Sequence, residues 1–148
     1  MRLTIRANLA MRILMQCAVN TPEVIRASDV AQACNASLNH VAQVVSQLAL
    51  AGYLTTQRGR GGGISLARPA EEVRVGAVLR LIESDMPFAE CMSKAANTCP
   101  LSAACRLRGA LCRGLDAFYR ELDQVTLADL VRDNDPLAGL LGTDRLVA

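Results

Sequence analysis

Apolar residues recur at three- and four-residue steps over most of this chain, and the pattern changes period once. Leu9, Ile13 and Leu14 define a first helix over about Thr4–Val19, which Asn20-Thr21-Pro22 ends. A second helix is expected from a Ser28 N-cap to about Cys34, with Val30, Ala31 and Ala33 inward. Asn35 supplies a turn, and Ser37 caps a third helix. Leu38, Val41, Val44, Val45 and Leu48 form the apolar face of that helix, and Gly52 terminates it. The period then changes. Tyr53–Thr56 and Ile64–Leu66 read as two strands around Arg58-Gly59-Arg60-Gly61-Gly62-Gly63, with Arg68-Pro69 closing the hairpin. Helical spacing resumes at Val75–Ser84, where Val75, Val78, Leu79 and Ile82 face inward.

Residues from Met86 to about Ala104 lack clean periodicity and read as a loop. A long helix follows from near Cys105, where Leu107, Leu111, Gly114 or Leu115, Phe118, Leu122 and Val125 form a seam. Such a lone amphipathic helix needs a partner, and a second copy of the chain is the economical one. Thr126 caps a short helix over Leu127–Val131, and the tail from Arg132 is expected to be loosely ordered. The expected fold is mostly α with a small β-hairpin wing: a winged helix-turn-helix plus a long C-terminal dimerisation helix. The organisation is a DNA-binding domain at 1–84, a cysteine-bearing loop at 85–104, the dimerisation and following helices at 105–131, and a tail at 132–148.

Composition narrows the function. Aromatics are 3% of the 148 residues and there is no Trp, which argues against the base-stacking surfaces of single-strand binders. The net charge of +2 hides an asymmetry. Residues 1–68 hold seven Arg against two acids, and residues 69–148 hold nine Lys or Arg against twelve acids. A basic first half suits phosphates. No Asp or Glu occurs between Val30 and Ala70. The outward residues of the third helix are Ser37, Asn39, His40 and Gln43, with Ser46 and Gln47 further along. Asn and Gln can read adenine edges, and Ser can bond bases or phosphates. In the wing, Arg58 and Arg60 suit a narrow minor groove, and glycines let the backbone approach a phosphate. A nucleotide-phosphate loop does not fit, because no Lys-Ser/Thr follows. No nucleophile–base pair or paired carboxylates are recognisable, so an enzyme is not expected. No secretory signal or membrane-length segment is visible, which leads to the expectation of a cytoplasmic protein with reduced thiols and no membrane partner.

Six Cys in such a setting suggest metal or redox chemistry. Cys91, Cys99 and Cys105 are separated by seven and five residues, with no His nearby. Three local thiols fall short of a closed zinc site. They suit an iron–sulfur cluster with a fourth ligand from elsewhere, or a thiol redox switch. Lys94, Arg106 and Arg108 would offset cluster charge or lower a thiol pKa. Cys17, Cys34 and Cys112 lie within expected helices as small buried residues.

Taken together, the start Met1-Arg2-Leu3-Thr4, the Arg-Gly wing, the Cys trio with Ala104-Cys105-Arg106-Leu107, and Thr126-Leu127-Ala128-Asp129-Leu130 resemble a family. It is the small dimeric iron–sulfur winged-helix repressors of bacteria. The likeness covers nearly the whole chain. It implies a homodimer on double-stranded operator DNA, with a four-iron four-sulfur cluster favoured over a two-iron two-sulfur one. Cys91, Cys99 and Cys105 would hold the cluster. Arg108 stands where the cluster-assembly regulators carry a His ligand, and the run Ala104–Gly109 looks like the nitric-oxide sensors. Asn8 matches the position from which those sensors give an Asp ligand to the partner subunit's cluster. The rhizobial iron regulators carry Asn there. A neutral amide is the weaker iron ligand, and Asp85 and Glu90 are nearby alternatives. The resemblance therefore implies a repressor sensing nitric oxide, or an iron-responsive regulator of the same fold. An iron–sulfur carrier or electron-transfer module is the alternative of another class, and it would leave the Arg-Gly wing without a purpose.

Overall fold

In the computed structural model, which describes residues 3–93 and 97–142, helix α1 (Ile5–Val19) forms the centre of the fold. Its apolar residues lie on nearly every side of the cylinder, and Ala7, Leu9, Ala10, Ile13, Leu14 and Cys17 are all buried. A helix apolar all round needs neighbours all round. Here α3 (Leu38–Leu50), β2 (Gly63–Leu66), α4 (Val75–Glu83), α6 (Leu127–Val131) and α7 (Asp135–Leu141) surround it. Thr4 caps α1 by accepting from the Ala7 N–H at 3.1 Å. The Thr4 N–H donates to Glu83 Oε1 at 2.7 Å, tying the start of α1 to the end of α4.

The helix-turn-helix follows. Helix α2 spans Ala27–Ala33, and its N-cap is Arg26 rather than the expected Ser28. Val30 is buried and Ala31 half-buried, but Ala33 faces solvent. Asn35 takes φ 49°, the left-handed turn expected of it. Ser37 caps α3 by accepting from the His40 N–H at 3.3 Å. Val41, Val44, Val45 and Leu48 are buried as expected, whereas Leu38, in the first turn, is 55% exposed.

Gly52, at φ 73°, turns the chain into β1 (Leu54–Gln57), which pairs antiparallel with β2 from Leu54↔Leu66 to Gln57↔Gly63. Beneath the turn, Arg68 Nε donates to the Gly52 carbonyl at 2.9 Å and its guanidinium stacks 4.9 Å from the Tyr53 ring centre. The hairpin has a third extended neighbour that periodicity did not reveal. Ile25 and Ile64 exchange both backbone hydrogen bonds, at 3.0 and 2.8 Å.

Two glycines of the wing are needed inside the fold, not at a phosphate. A Cβ on Gly63 would strike the Ile25 backbone, and one on Gly62 would strike Gln57 and Arg58. Only Gly59 and Gly61 of the wing stand open, at φ 96° and 81°.

Helix α4 buries Val75, Val78, Leu79 and Ile82. It meets α5 (Arg106–Leu122) at Arg80, which pairs with Asp123 through both nitrogens and stacks 4.8 Å from the Tyr119 ring centre. No residue of α5 is buried, and Leu107 is 64% exposed. The chain then returns to the head. Arg74 bridges Thr126, the Leu127 N–H donates to the Val73 carbonyl at 2.8 Å, and Leu127 joins the core cluster. Thr126 and Asp129 form a reciprocal capping box on α6. The tail is not loosely ordered up to Leu141. Asn134 caps α7, Leu141 is buried, and Asn20 Nδ2 donates to the Leu141 carbonyl at 2.9 Å. Met1 and Arg2 of the starting motif, Lys94 of the cysteine loop, and the end of the tail at 143–148 lie outside the described residues.

Candidate DNA-reading surface and cysteine loop

The third helix and the wing present most of the residues expected to reach DNA. Ser37, Asn39 and Gln43 are exposed on α3, as are Arg58 and Arg60 at the hairpin tip. The Ser37 hydroxyl serves the helix as its cap, so only its remaining lone pair and proton are free for a ligand. Gln47 is engaged internally: its Oε1 accepts from Arg6 at 2.7 Å. His40 is half-buried and lines a hollow of about 530 Å³ with Asn8, Arg12 and Cys34. Arg12 closes one wall by donating to the Cys34 carbonyl at 3.2 Å. One hollow thus borders both the residue matched to the partner-ligand position, Asn8, and a residue of the reading helix.

The cysteines divide into two kinds. Cys17 and Cys34 are buried between α1 and α2. Burial, helped by the neighbouring Cys34, pushes the Cys17 thiol up to about 12. Cys34 is also raised by burial, against the opposing pull of Arg12. These are thiols held neutral, as expected of packing residues. Cys91, Cys99 and Cys105 are half-exposed instead.

Two braces gather the segments that carry them. Glu90 Oε1 accepts from the Thr98 N–H at 3.0 Å and from its hydroxyl at 2.6 Å, joining the neighbours of Cys91 and Cys99. Those bonds hold the Glu90 carboxyl below its ordinary value. They also engage the acid that was an alternative ligand. Among the described residues, Asp85 accepts only from Ser84, at 3.4 Å. The second brace runs from Arg108 Nε to the Cys91 carbonyl at 3.0 Å, fastening the 3₁₀ turn Glu90–Met92 to the first turn of α5.

The three thiols are not gathered into one metal-ready set. Among the described residues, no three His, Cys, Asp or Glu stand together to hold an ion. Their chemistry nonetheless fits an iron–sulfur cluster. The donors are soft, no imidazole competes, and Cys105 sits at the N-cap of α5 with no side-chain capping bond. Sequence reasoning missed one feature. Cys112 is half-exposed and lines a cavity of about 380 Å³ together with Cys105, Arg106 and Arg108. Its place seven residues after Cys105, two turns along one helix face, was the available signal.

A helix-turn-helix followed by a β-hairpin wing, with an amphipathic helix beyond it that buries none of its residues, defines a winged-helix regulator. The sequence matches the family described as "Rrf2: Iron-dependent Transcriptional regulator" over residues 3–133. It is 41% identical to the HTH-type transcriptional regulator NsrR of Geobacillus kaustophilus over 142 residues, 95% of this chain and 97% of that protein. It is 37% identical to the NsrR regulator of Halalkalibacterium halodurans over 142 residues, again 95% of this chain and 97% of that one. Its fold superposes on the oxidised form of Staphylococcus aureus CymR with a TM-score of 0.69 at 26% identity, covering 89% of this chain and 97% of that one. The chain belongs to the Rrf2 family of transcriptional regulators. The family and these relatives are regulators, not enzymes. No helix among the described residues is long and apolar enough to cross a membrane.

Proposed function

We propose that this chain is a cytoplasmic, homodimeric repressor that senses nitric oxide through an iron–sulfur cluster held by Cys91, Cys99 and Cys105. The observation that carries the proposal is the pairing of three half-exposed thiols on a braced loop with a reading head a short distance upstream. When bound, the cluster would supply iron open to attack by nitric oxide. The protein's own residues would do the rest. Cys105 ends the loop at the start of α5, and Arg108 fixes Cys91 to that helix. Loss of the three sulfur ligations would free the loop, and α5 would lose its N-terminal anchor.

Helix α5 carries Leu107, Leu111, Leu115, Phe118 and Leu122 with none of them buried. A second copy covering this face makes the dimer, and two α3 helices then meet successive major grooves roughly 34 Å apart. Asn39, His40 and Gln43 read base edges, Ser37 contacts backbone or base, and Arg58 and Arg60 follow the minor groove. Asn8 would face the partner's cluster loop. Because it borders the same hollow as His40, a change at the loop is felt at the turn before α3. In this account residues 1–84 read DNA, 85–104 hold the cluster and 105–131 pair the subunits.

Anaerobic purification followed by visible absorption and iron and sulfide assays tests the proposal. The expected protein is coloured, with iron and sulfide in equal amounts. A colourless protein with one zinc per chain would contradict it. A second reading, release of DNA when iron is scarce, is favoured by Asn8, since a neutral amide leaves an iron easier to lose. Operator binding measured after iron chelation and, separately, after nitric oxide distinguishes the two readings.

A further inference from the structure

A single exposed leucine is ordinary on a protein surface, so what matters about Leu38 is where it stands. It opens the first turn of α3 and is 55% exposed. Residues at the N-terminal end of a recognition helix are the ones that meet base edges. Beyond the cap, the exposed residues of the first two turns are Leu38, Asn39, Ala42 and Gln43. They make two rows at i, i+4 spacing: Leu38 with Ala42, and Asn39 with Gln43 about 100° further round the helix. Their polar neighbours Ser37 and Gln47 are engaged within the fold. The Ser37 hydroxyl accepts from the His40 N–H, and Gln47 Oε1 accepts from Arg6. The Asn39 and Gln43 amides have no hydrogen-bond partner among the described residues. The tip of α3 thus carries one row of free amides beside one apolar row.

That pairing of rows matches one kind of base pair. In the major groove an A·T pair offers the adenine N6 and N7 atoms, which an Asn or Gln amide binds bidentately. It also offers the thymine C5 methyl, which an apolar side chain can cover. A G·C pair has no methyl to cover. We infer that Leu38, with Ala42 one turn behind it, covers a thymine C5 methyl and makes α3 selective for A·T pairs. The inference rests on the DNA-reading role proposed above and deepens it by naming the base feature that is read. The contact removes water from the methyl and from the leucine together, so it is favourable only where the methyl is present. No Asp or Glu between Val30 and Ala70 opposes the approach of this tip to the duplex.

The test uses full-length protein purified anaerobically and a duplex that wild type selects from a random pool. Each thymine of that duplex is replaced in turn by deoxyuridine, which removes the C5 methyl and keeps the pairing with adenine. Affinities are measured by fluorescence anisotropy at one salt concentration. Wild type should bind about fourfold more weakly at the thymine that Leu38 covers, the worth of one buried methyl. Leu38→Ala should bind the thymine and deoxyuridine duplexes alike. Leu38→Met, which keeps an apolar side chain of similar size, should still favour the methyl. Circular dichroism shows that the variants fold. A wild type indifferent to every thymine methyl would overturn the inference. So would a fourfold preference that persists unchanged in Leu38→Ala, because another residue would then be reading the methyl. A wild type that enriches no duplex from the pool would instead bring down the DNA-reading role itself, whereas an enriched duplex whose methyls do not matter brings down only this inference.

Discussion

Replacing Gly76 by Ala separates helix propensity from packing, because the two predict opposite signs. Gly76 lies in α4, where Ala is intrinsically better by about 1 kcal/mol. Propensity alone therefore predicts stabilisation. In the fold, an added Cβ would stand 2.7 Å from the Tyr119 carbonyl and closer still to the Asp123 carboxylate. The carboxylate can rotate away only by giving up Arg80, a solvent-screened pairing that stabilises weakly. The carbonyl cannot move unless α5 moves. Overpacking of this kind costs about 1–3 kcal/mol. With the propensity gain set against that cost and the small loss of the Arg80 pairing added to it, the expected net loss is about 1–2 kcal/mol, or a Tm lower by roughly 3–8 °C. Thermal unfolding by circular dichroism at one fixed protein concentration measures it. Gly139→Ala is the control, since its Cβ would meet nothing within 4 Å and propensity should prevail. A Gly76→Ala protein as stable as wild type, or more so, would refute the close approach of α4 and α5.

Three other outcomes are expected. Arg58→Ala with Arg60→Ala should flatten the dependence of log K on log salt by about 1 for each phosphate charge no longer neutralised; an unchanged slope places the wing off the DNA. Gln16 is fully buried with neither side-chain polar atom hydrogen-bonded, so Gln16→Met should stabilise the fold by about 1–3 kcal/mol, and a lower Tm would contradict that. Asp129 accepts from the Thr126 hydroxyl and N–H, which together hold its carboxyl below the ordinary 3.8. A depressed folded value stabilises above the unfolded one and is lost as pH falls through the folded one. Wild type should thus exceed Asp129→Asn in Tm at about pH 6, and the gap should close below pH 3.8; a gap constant with pH would count against the capping box.

What the chain disclosed in advance was what local physics determines. Thr126 and Ser37 announce their helices because capping is a one-turn interaction, and Val41, Val44, Val45 and Leu48 announce a buried face because period 3.6 is local too. The Ile25–Ile64 pairing was invisible, since a single bridged residue has no period. The second helix begins at Ala27 although Ser28 is the better capping residue, and Leu38 is exposed although it falls in step with the apolar face of α3. Helix α7 is seven residues long, too short for a repeating stripe, and only Asn134 before Asp135-Pro136 marked it. Two of the wing glycines looked like provision for a phosphate and proved to be room for Ile25 and Gln57. On the candidate site, the trio of cysteines was legible as a motif. Cys112 was not, because its expected burial depended on what α5 packs against, and α5 buries none of its residues within one chain.

The central claim is that the state of the cysteine loop sets the affinity of the reading head. The direct measurement is operator affinity of the anaerobic, cluster-loaded protein before and after stoichiometric nitric oxide, on a duplex recovered by selection from a random pool. The account predicts tight binding by the loaded dimer and at least tenfold weaker binding after nitric oxide. Equal affinity in the two states, in a protein shown to carry iron and sulfide, would contradict it.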